Sequence, residues 1–284
     1  MTTALAYSPS PIKGKQLRTL MQQLRAHAGI KIDSSQAVIE DCVRRRMMCL
    51  DIVEMDEYLA LLEYGISARA EWLALIDLLT VKETRFFRQP AAFECAADYI
   101  RNLLDQGPAP KEISFWSAGC ATGQELYSLS MVVEYILRQH RPWLEWHGIG
   151  TDISFMAISE AQRAIYRESA LKAVPEEYRQ LYLEQVSGDE CQVAADIRAR
   201  AHFFHSNLLH VSGAPFAEFN IIFCQNVLIY FERAKQRWII DQLADRLRVG
   251  GLLILGAGED VRWLNSNMRR VPCAGVCAYK KIGG

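Results

Sequence analysis

FWSAGCATGQELYSLS, from Phe115 to Ser130, is the stretch on which the reading of the whole chain turns. An apolar run leads into Gly119-Cys120-Ala121-Thr122-Gly123, and a helical segment follows from Gln124 to Arg138. Strand, glycine turn and helix make up the opening of an α/β unit. Glycines allow a sharp turn and let a ligand approach the N–H groups that start the next helix. The third glycine of the dinucleotide fingerprint is absent, which weakens the case for a pyrophosphate ligand. The next expected strand, Trp146 to Asp152, ends on a carboxylate suited to the two hydroxyls of a ribose. A nucleoside with no phosphate demand, S-adenosylmethionine, fits both features. Taken alone, the turn also fits a plain strand-to-helix connection. Glu125, in the first helical turn, is favoured there by the helix dipole whether or not a ligand is near.

Working outward, strands and helices alternate after residue 110. Ile113 to Ala118, Trp146 to Asp152, Phe219 to Cys224 and Gly250 to Leu255 read as short apolar strands. Helical segments lie at Gln124 to Arg138, Ser154 to Ala164 and Arg233 to Leu247. This pattern predicts a parallel sheet covered on both faces. Arg269 to Ile282, with turn residues from Pro272 to Gly275, predicts a closing antiparallel hairpin. Residues 166–200 interrupt the alternation as a polar, charged insertion. Before residue 80 the periodicity is helical: Gln16 onward, a segment capped by Asp33-Ser34-Ser35, Met55 to Tyr64, and Ala68 to Leu79. The expected organisation is a loose tail over 1–14, a helical domain over 15–80, and an α/β domain over 81–284.

Composition narrows the function classes. Of 284 residues half are hydrophobic, enough for a sizeable core, and the formal net charge of -1 gives no extended footprint for nucleic acid. The eight cysteines form no CxxC pair and no metal-ligand spacing with histidine, so they read as reduced thiols and no metal is expected. No apolar run approaches the roughly 20 residues of a membrane span, and no signal peptide is visible, which predicts a cytoplasmic protein.

Four segments together are more specific than the glycine turn: Thr84-Arg85-Phe86-Phe87-Arg88, the 115–130 stretch, Gly150-Thr151-Asp152-Ile153, and Phe223-Cys224-Gln225-Asn226-Val227-Leu228-Ile229-Tyr230-Phe231. In this order and spacing, the chain from about residue 17 to 282 resembles the CheR family of chemotaxis receptor methyltransferases. Those are S-adenosylmethionine-dependent protein-glutamate O-methyltransferases. The resemblance implies a Rossmann-like class I methyltransferase domain with a small β-rich insertion, preceded by an all-α domain. It places cofactor contacts on Thr84, Arg88, Glu125, Asp152, Asn207, Leu208, Gln225 and Asn226, and Tyr230 near the transferred methyl. Departures are visible as well. Lys82 stands where the family commonly has Asn, Gln225 where it often has Arg, Gln124 where Glu is frequent, and Leu126 where Pro is frequent. Ala257-Gly258-Glu259 stands in place of His-Ser-Glu, so no role passes to that histidine.

The implied acceptor is a glutamate in the cytoplasmic helical domain of a methyl-accepting chemoreceptor, in chemotaxis or pilus-based motility. A carboxylate is already ionised at neutral pH, so the displacement needs positioning more than a general base. Arg88 and Tyr230 are the candidates for aiming it, although a guanidinium at 88 would equally clamp the methionyl carboxylate of the donor. Arg44-Arg45-Arg46 would present positive charge to an acidic receptor, or form a solvated helix face. No nucleic acid partner and no membrane insertion are expected, and a monomer is. A non-catalytic S-adenosylmethionine-sensing scaffold in the same signalling system is the alternative function; an NAD-dependent dehydrogenase is disfavoured by the missing glycine.

Overall fold

The computed structural model describes residues 9–32, 34–80, 83–106, 110–213, 218–259, 263–273 and 275–283. Asp33, Lys82, part of the turn at 272–275 and the first eight residues of the expected tail lie outside these. The chain divides into two compact units, Met1–Val81 and Lys82–Gly284.

The first unit holds four helices: α1 (Gly14–Ala28), α2 (Gln36–Cys49), α3 (Met55–Tyr64) and α4 (Ala68–Leu79). The loose segment expected through residue 14 is partly tied down, since Ser10 N donates to Val53 O at 2.9 Å and Ser10 Oγ to Glu54 at 2.7 Å. Leu20, Leu24, Val43, Met47, Tyr58 and Leu75 are fully buried between the helices. In their midst lies a carboxylate, Glu71, only 3% exposed. It is held by Arg46, whose Nε and Nη2 donate at 3.0 and 2.6 Å, and by the Tyr58 hydroxyl at 2.6 Å. The arginine run is thereby divided: Arg46 faces inward, while Arg45 is 68% exposed and pairs with Asp41.

The second unit begins with α5 (Pro90–Asp105) and continues β1 (Glu112–Ala118), α6 (Gln124–His140), β2 (Glu145–Asp152) and α7 (Phe155–Arg163). The insertion follows as β3 (Ile165–Arg167), α8 (Glu176–Tyr182), β4 (Leu183–Ser187), β5 (Glu190–Val193) and α9 (Ala195–Arg198). The chain then forms β6 (Ala201–His205), β7 (Phe219–Cys224), α10 (Arg233–Asp245), β8 (Leu247–Leu255), β9 (Met268–Val271) and β10 (Cys277–Lys281). Seven strands make one sheet in the order β6-β2-β1-β7-β8-β10-β9. Its first five strands run parallel, and β10 pairs antiparallel with both β8 and β9, giving the closing hairpin. Strands β3, β5 and β4 form a separate antiparallel sheet. Every residue of β7 is buried, as befits a central strand covered on both faces.

Two features depart from the sequence reading. Helix α5, begun by a proline at its first position, fills residues 90–105, to which the sequence patterns above assign no element. Cys95 in that helix and Cys273 beyond β9, 178 residues apart, are disulfide-bonded, which corrects the reading of eight reduced thiols. The other six cysteines are free, and only Cys49 is exposed.

The buried ion pair of the helical unit makes a direct prediction. Arg46→Ala leaves Glu71 charged and unpaired, and should lower the unit's stability by roughly 3 kcal/mol, against less than about 1 kcal/mol for Arg45→Ala. Chemical denaturation of the two variants checks this.

Candidate functional site

The sheet's strand order runs outward from β1 through β2 to β6 on one side, and through β7 to β8 on the other. Loops leaving the carboxyl ends of β1 and β7 therefore diverge and open a crevice between them. The glycine turn follows β1. Its Gly119 and Cys120 N–H groups both donate to Thr151 O, at 2.7 and 2.9 Å, which folds the turn over the end of β2. Gly119 has φ +84, and a Cβ there would stand 2.3 Å from a Val227 methyl, so no other residue lets the two loops meet this closely. Ala121, also at positive φ, donates its N–H to Asp152 Oδ2 at 2.9 Å. Asp152 Oδ1 accepts from Ser154 N at 2.8 Å, and Ser154 Oγ caps α7. The carboxylate predicted to read a ribose is thus fixed by backbone at both oxygens.

Glu125 is held differently. Its Oε1 accepts from the Ser117 hydroxyl at 2.7 Å. Burial pushes its carboxyl up to about 7, against the lowering effect of that hydroxyl; the charge of Glu259 raises it further, and Arg88 pulls it down. A carboxylate in this condition is stabilised by an added cation. Arg88 itself is exposed and donates from Nη1 to Glu83 O at 3.0 Å. Its segment is anchored by Phe87, whose N–H donates to Ser128 Oγ on α6 at 3.0 Å. Phe86 meets Tyr166 of β3 edge-on at 4.9 Å, which joins the small sheet to this segment. Tyr166 also donates to Thr122 O in the glycine turn at 2.7 Å. Thr84 is half-buried at the start of the segment.

The remaining predicted residues lie at the same edge of the sheet. Asn207 and Leu208 follow β6 by two and three residues, just past His205, which pairs with Asp152 at the end of β2. Asn207 Oδ1 accepts from Leu209 N at 2.9 Å, forming a local turn. Gln225, buried, follows β7 and donates to Gln89 Oε1 at 2.8 Å, bringing the β7 loop beside the Arg88 segment. Asn226 adopts φ 59, and Tyr230 ends a short helical turn, Leu228–Tyr230. The structure therefore brings Thr84, Arg88, Glu125, Asp152, Asn207, Leu208, Gln225, Asn226 and Tyr230 to the side of the sheet where the parallel strands end, in loops and short turns, at the end of β2 and in the first turn of α6, whereas Arg44, Arg45 and Arg46 belong to the helical unit. One acid, Glu259, which matches the last residue of the family's His-Ser-Glu and has no role from the sequence, is 3% exposed and binds the backbone of the β7 loop. Its signal was an acid following two glycines just after an apolar strand.

The donor set fits an adenosyl sulfonium: a backbone turn without the full glycine set, a fixed carboxylate for a diol, and a carboxylate ready for an ammonium. Among the described residues no cluster of three His, Cys, Asp or Glu has the geometry to hold a metal ion. The family model for the CheR methyltransferase, SAM binding domain, matches residues 82–276. The chemotaxis protein methyltransferase of Klebsiella aerogenes is 30% identical over 255 residues, 88% of this chain and 84% of its own length. The chemotaxis protein methyltransferase of Escherichia coli K12 is 29% identical, covering 98% and 93% of the two chains. That of Borreliella burgdorferi is 26% identical, covering 94% of each. The crevice and the match across most of the chain lead to one conclusion: this chain belongs to the CheR methyltransferase family, S-adenosylmethionine-dependent enzymes.

Proposed function

We propose that the chain methylates glutamate side chains in the cytoplasmic helical domain of a methyl-accepting chemoreceptor, forming glutamyl methyl esters that tune adaptation in chemotaxis or pilus-based motility. The observation that carries this reading is the pair of unlike carboxylates in one crevice: Asp152 fixed by a backbone N–H group on each oxygen, Glu125 short of a cation. Bound there, S-adenosylmethionine supplies an electrophilic methyl group on a sulfonium. Asp152 receives the ribose hydroxyls, Glu125 the amino group, and Asn207 with Leu208 flanks the base. Arg88 and Tyr230 aim the acceptor carboxylate; no residue is needed to remove a proton, because the acceptor is already ionised. Arg88 has the alternative of clamping the donor's carboxylate. The enzyme acts as a cytoplasmic monomer, and no helix of the described residues is long and apolar enough to cross a membrane.

Docking of the acidic receptor falls to Arg44 and Arg45, since Arg46 neutralises Glu71 inside the helical unit. Reversing the charge of Arg44 and Arg45 together should raise the KM for receptor several-fold and leave donor binding alone; an unchanged KM rejects this surface.

The site reading is tested by methyl transfer to receptor-bearing membranes. Arg88→Ala should abolish turnover at saturating donor. Asp152→Ala should chiefly raise the donor KM, by about 10- to 100-fold for the loss of charged hydrogen bonds. Normal turnover by the Arg88 variant refutes its place in the site.

Glu125 makes the pH dependence specific. With its carboxyl pushed up to about 7, it is protonated below that pH and must lose the proton to hold an ammonium group. Affinity for S-adenosylhomocysteine should therefore fall as pH drops through 7, by up to about tenfold per unit. Glu125→Gln should bind more weakly above pH 7 and lose that slope. Calorimetry across this range decides, and a flat wild-type profile counts against the assignment.

A further inference from the structure

Glu259 is a buried acid that the proposed chemistry does not use. After β8 the chain turns back on itself, with Glu259 N donating to Gly256 O at 3.1 Å, and the carboxylate enters between the ends of β7 and β8. Its Oε2 accepts from Asn226 N at 2.8 Å and Gly256 N at 2.9 Å, and its Oε1 accepts from Ile229 N at 3.2 Å. The Leu228 N–H supplies a further bond. A Cβ on Gly256 would stand 2.1 Å from Oε2, so glycine at 256 is what admits the acid.

A carboxylate offers about four acceptor positions, and here four main-chain N–H groups meet them. Three of those groups lie in the segment 226–229, where Asn226 takes a left-handed φ of 59 and the chain enters the Leu228–Tyr230 turn. An amide could not replace the anion, because its NH2 would face donors. We propose that Glu259 is a positioning residue, whose anion holds the β7 loop in the conformation that presents Asn226 and Tyr230 to the methyl-transfer crevice. This rests on the assignment of Asn226 to the donor and of Tyr230 to the methyl transfer.

Amide hydrogen exchange on the full chain, read beside methyl transfer, tests it. Glu259→Gln should speed exchange at residues 226–229 by about tenfold or more, the effect of leaving buried donors unpaired, while β1 keeps its protection. The same variant should lose at least about tenfold in kcat, with a smaller change in S-adenosylhomocysteine affinity, which Asp152 and Glu125 largely provide. Should the glutamine cost β1 its protection, Glu259→Asp is read by the same two criteria, because it keeps the charge but falls one methylene short. Unchanged exchange at 226–229 overturns the anion's hold on the loop. Faster exchange with wild-type kcat overturns the positioning role. A wild-type chain that binds S-adenosylhomocysteine but methylates no receptor would instead count against the proposed acceptor, and the exchange result would still decide what Glu259 does.

Discussion

Two loops that leave neighbouring strands in opposite directions come into contact, Gly119 against Val227, and the site depends on that contact. A parallel sheet whose strand order reverses between β1 and β7 must leave a crevice at that point. At that point the turn after β1 closes onto the loop after β7. Any side chain at 119 would collide with Val227 and would also strain a backbone at φ +84. The same turn is fastened to β2 through Thr151 O and to Asp152 through Ala121 N. The ends of β1 and β2 are thus locked together by hydrogen bonds, and the β7 loop joins them through the Gly119–Val227 contact.

Three carboxylates share this edge of the sheet, and each is satisfied in a different way. Asp152 receives two backbone N–H groups, one on each oxygen. Glu259 receives N–H groups from two loops, although burial still raises its proton affinity. Glu125 receives one hydroxyl from Ser117 and lies under the field of Glu259. Their supply of donors differs: Glu259 is bonded by both loops, Asp152 is fixed at each oxygen, and Glu125, with one hydroxyl, is the acid whose carboxyl burial pushes up to about 7. The charge of Arg88 lowers the Glu125 carboxyl against that trend.

Much of this was legible in the sequence, because local pattern carries it. The strand, turn and helix at 112–140, the carboxylate ending β2 and the hairpin at the end follow from apolar runs and turn residues. What was hidden depends on contacts between distant residues. Cys95 and Cys273 meet across 178 residues with no spacing signal. Arg46 looked like part of a basic face until Glu71, 25 residues on, drew it inward. Glu259 reads as an ordinary acid after a glycine pair; only the return of the chain beneath β7 gives its charge four N–H groups to hold. Helix α5 was masked by the motif before it, and β6, buried at only two of its five residues, is too short to announce itself.

Together, the backbone-locked crevice and the unequal carboxylates describe an enzyme that acts by placement. On the proposed function, the acceptor is an anion that needs aiming, and the donor is a cation that needs an acid beside it. The most direct test follows a labelled methyl group from S-adenosylmethionine into membranes bearing a chemoreceptor, followed by mild alkali. A glutamyl methyl ester predicts label on the receptor that alkali releases as volatile methanol. Label that survives alkali, or none on the receptor from a chain that binds S-adenosylhomocysteine, would contradict the account.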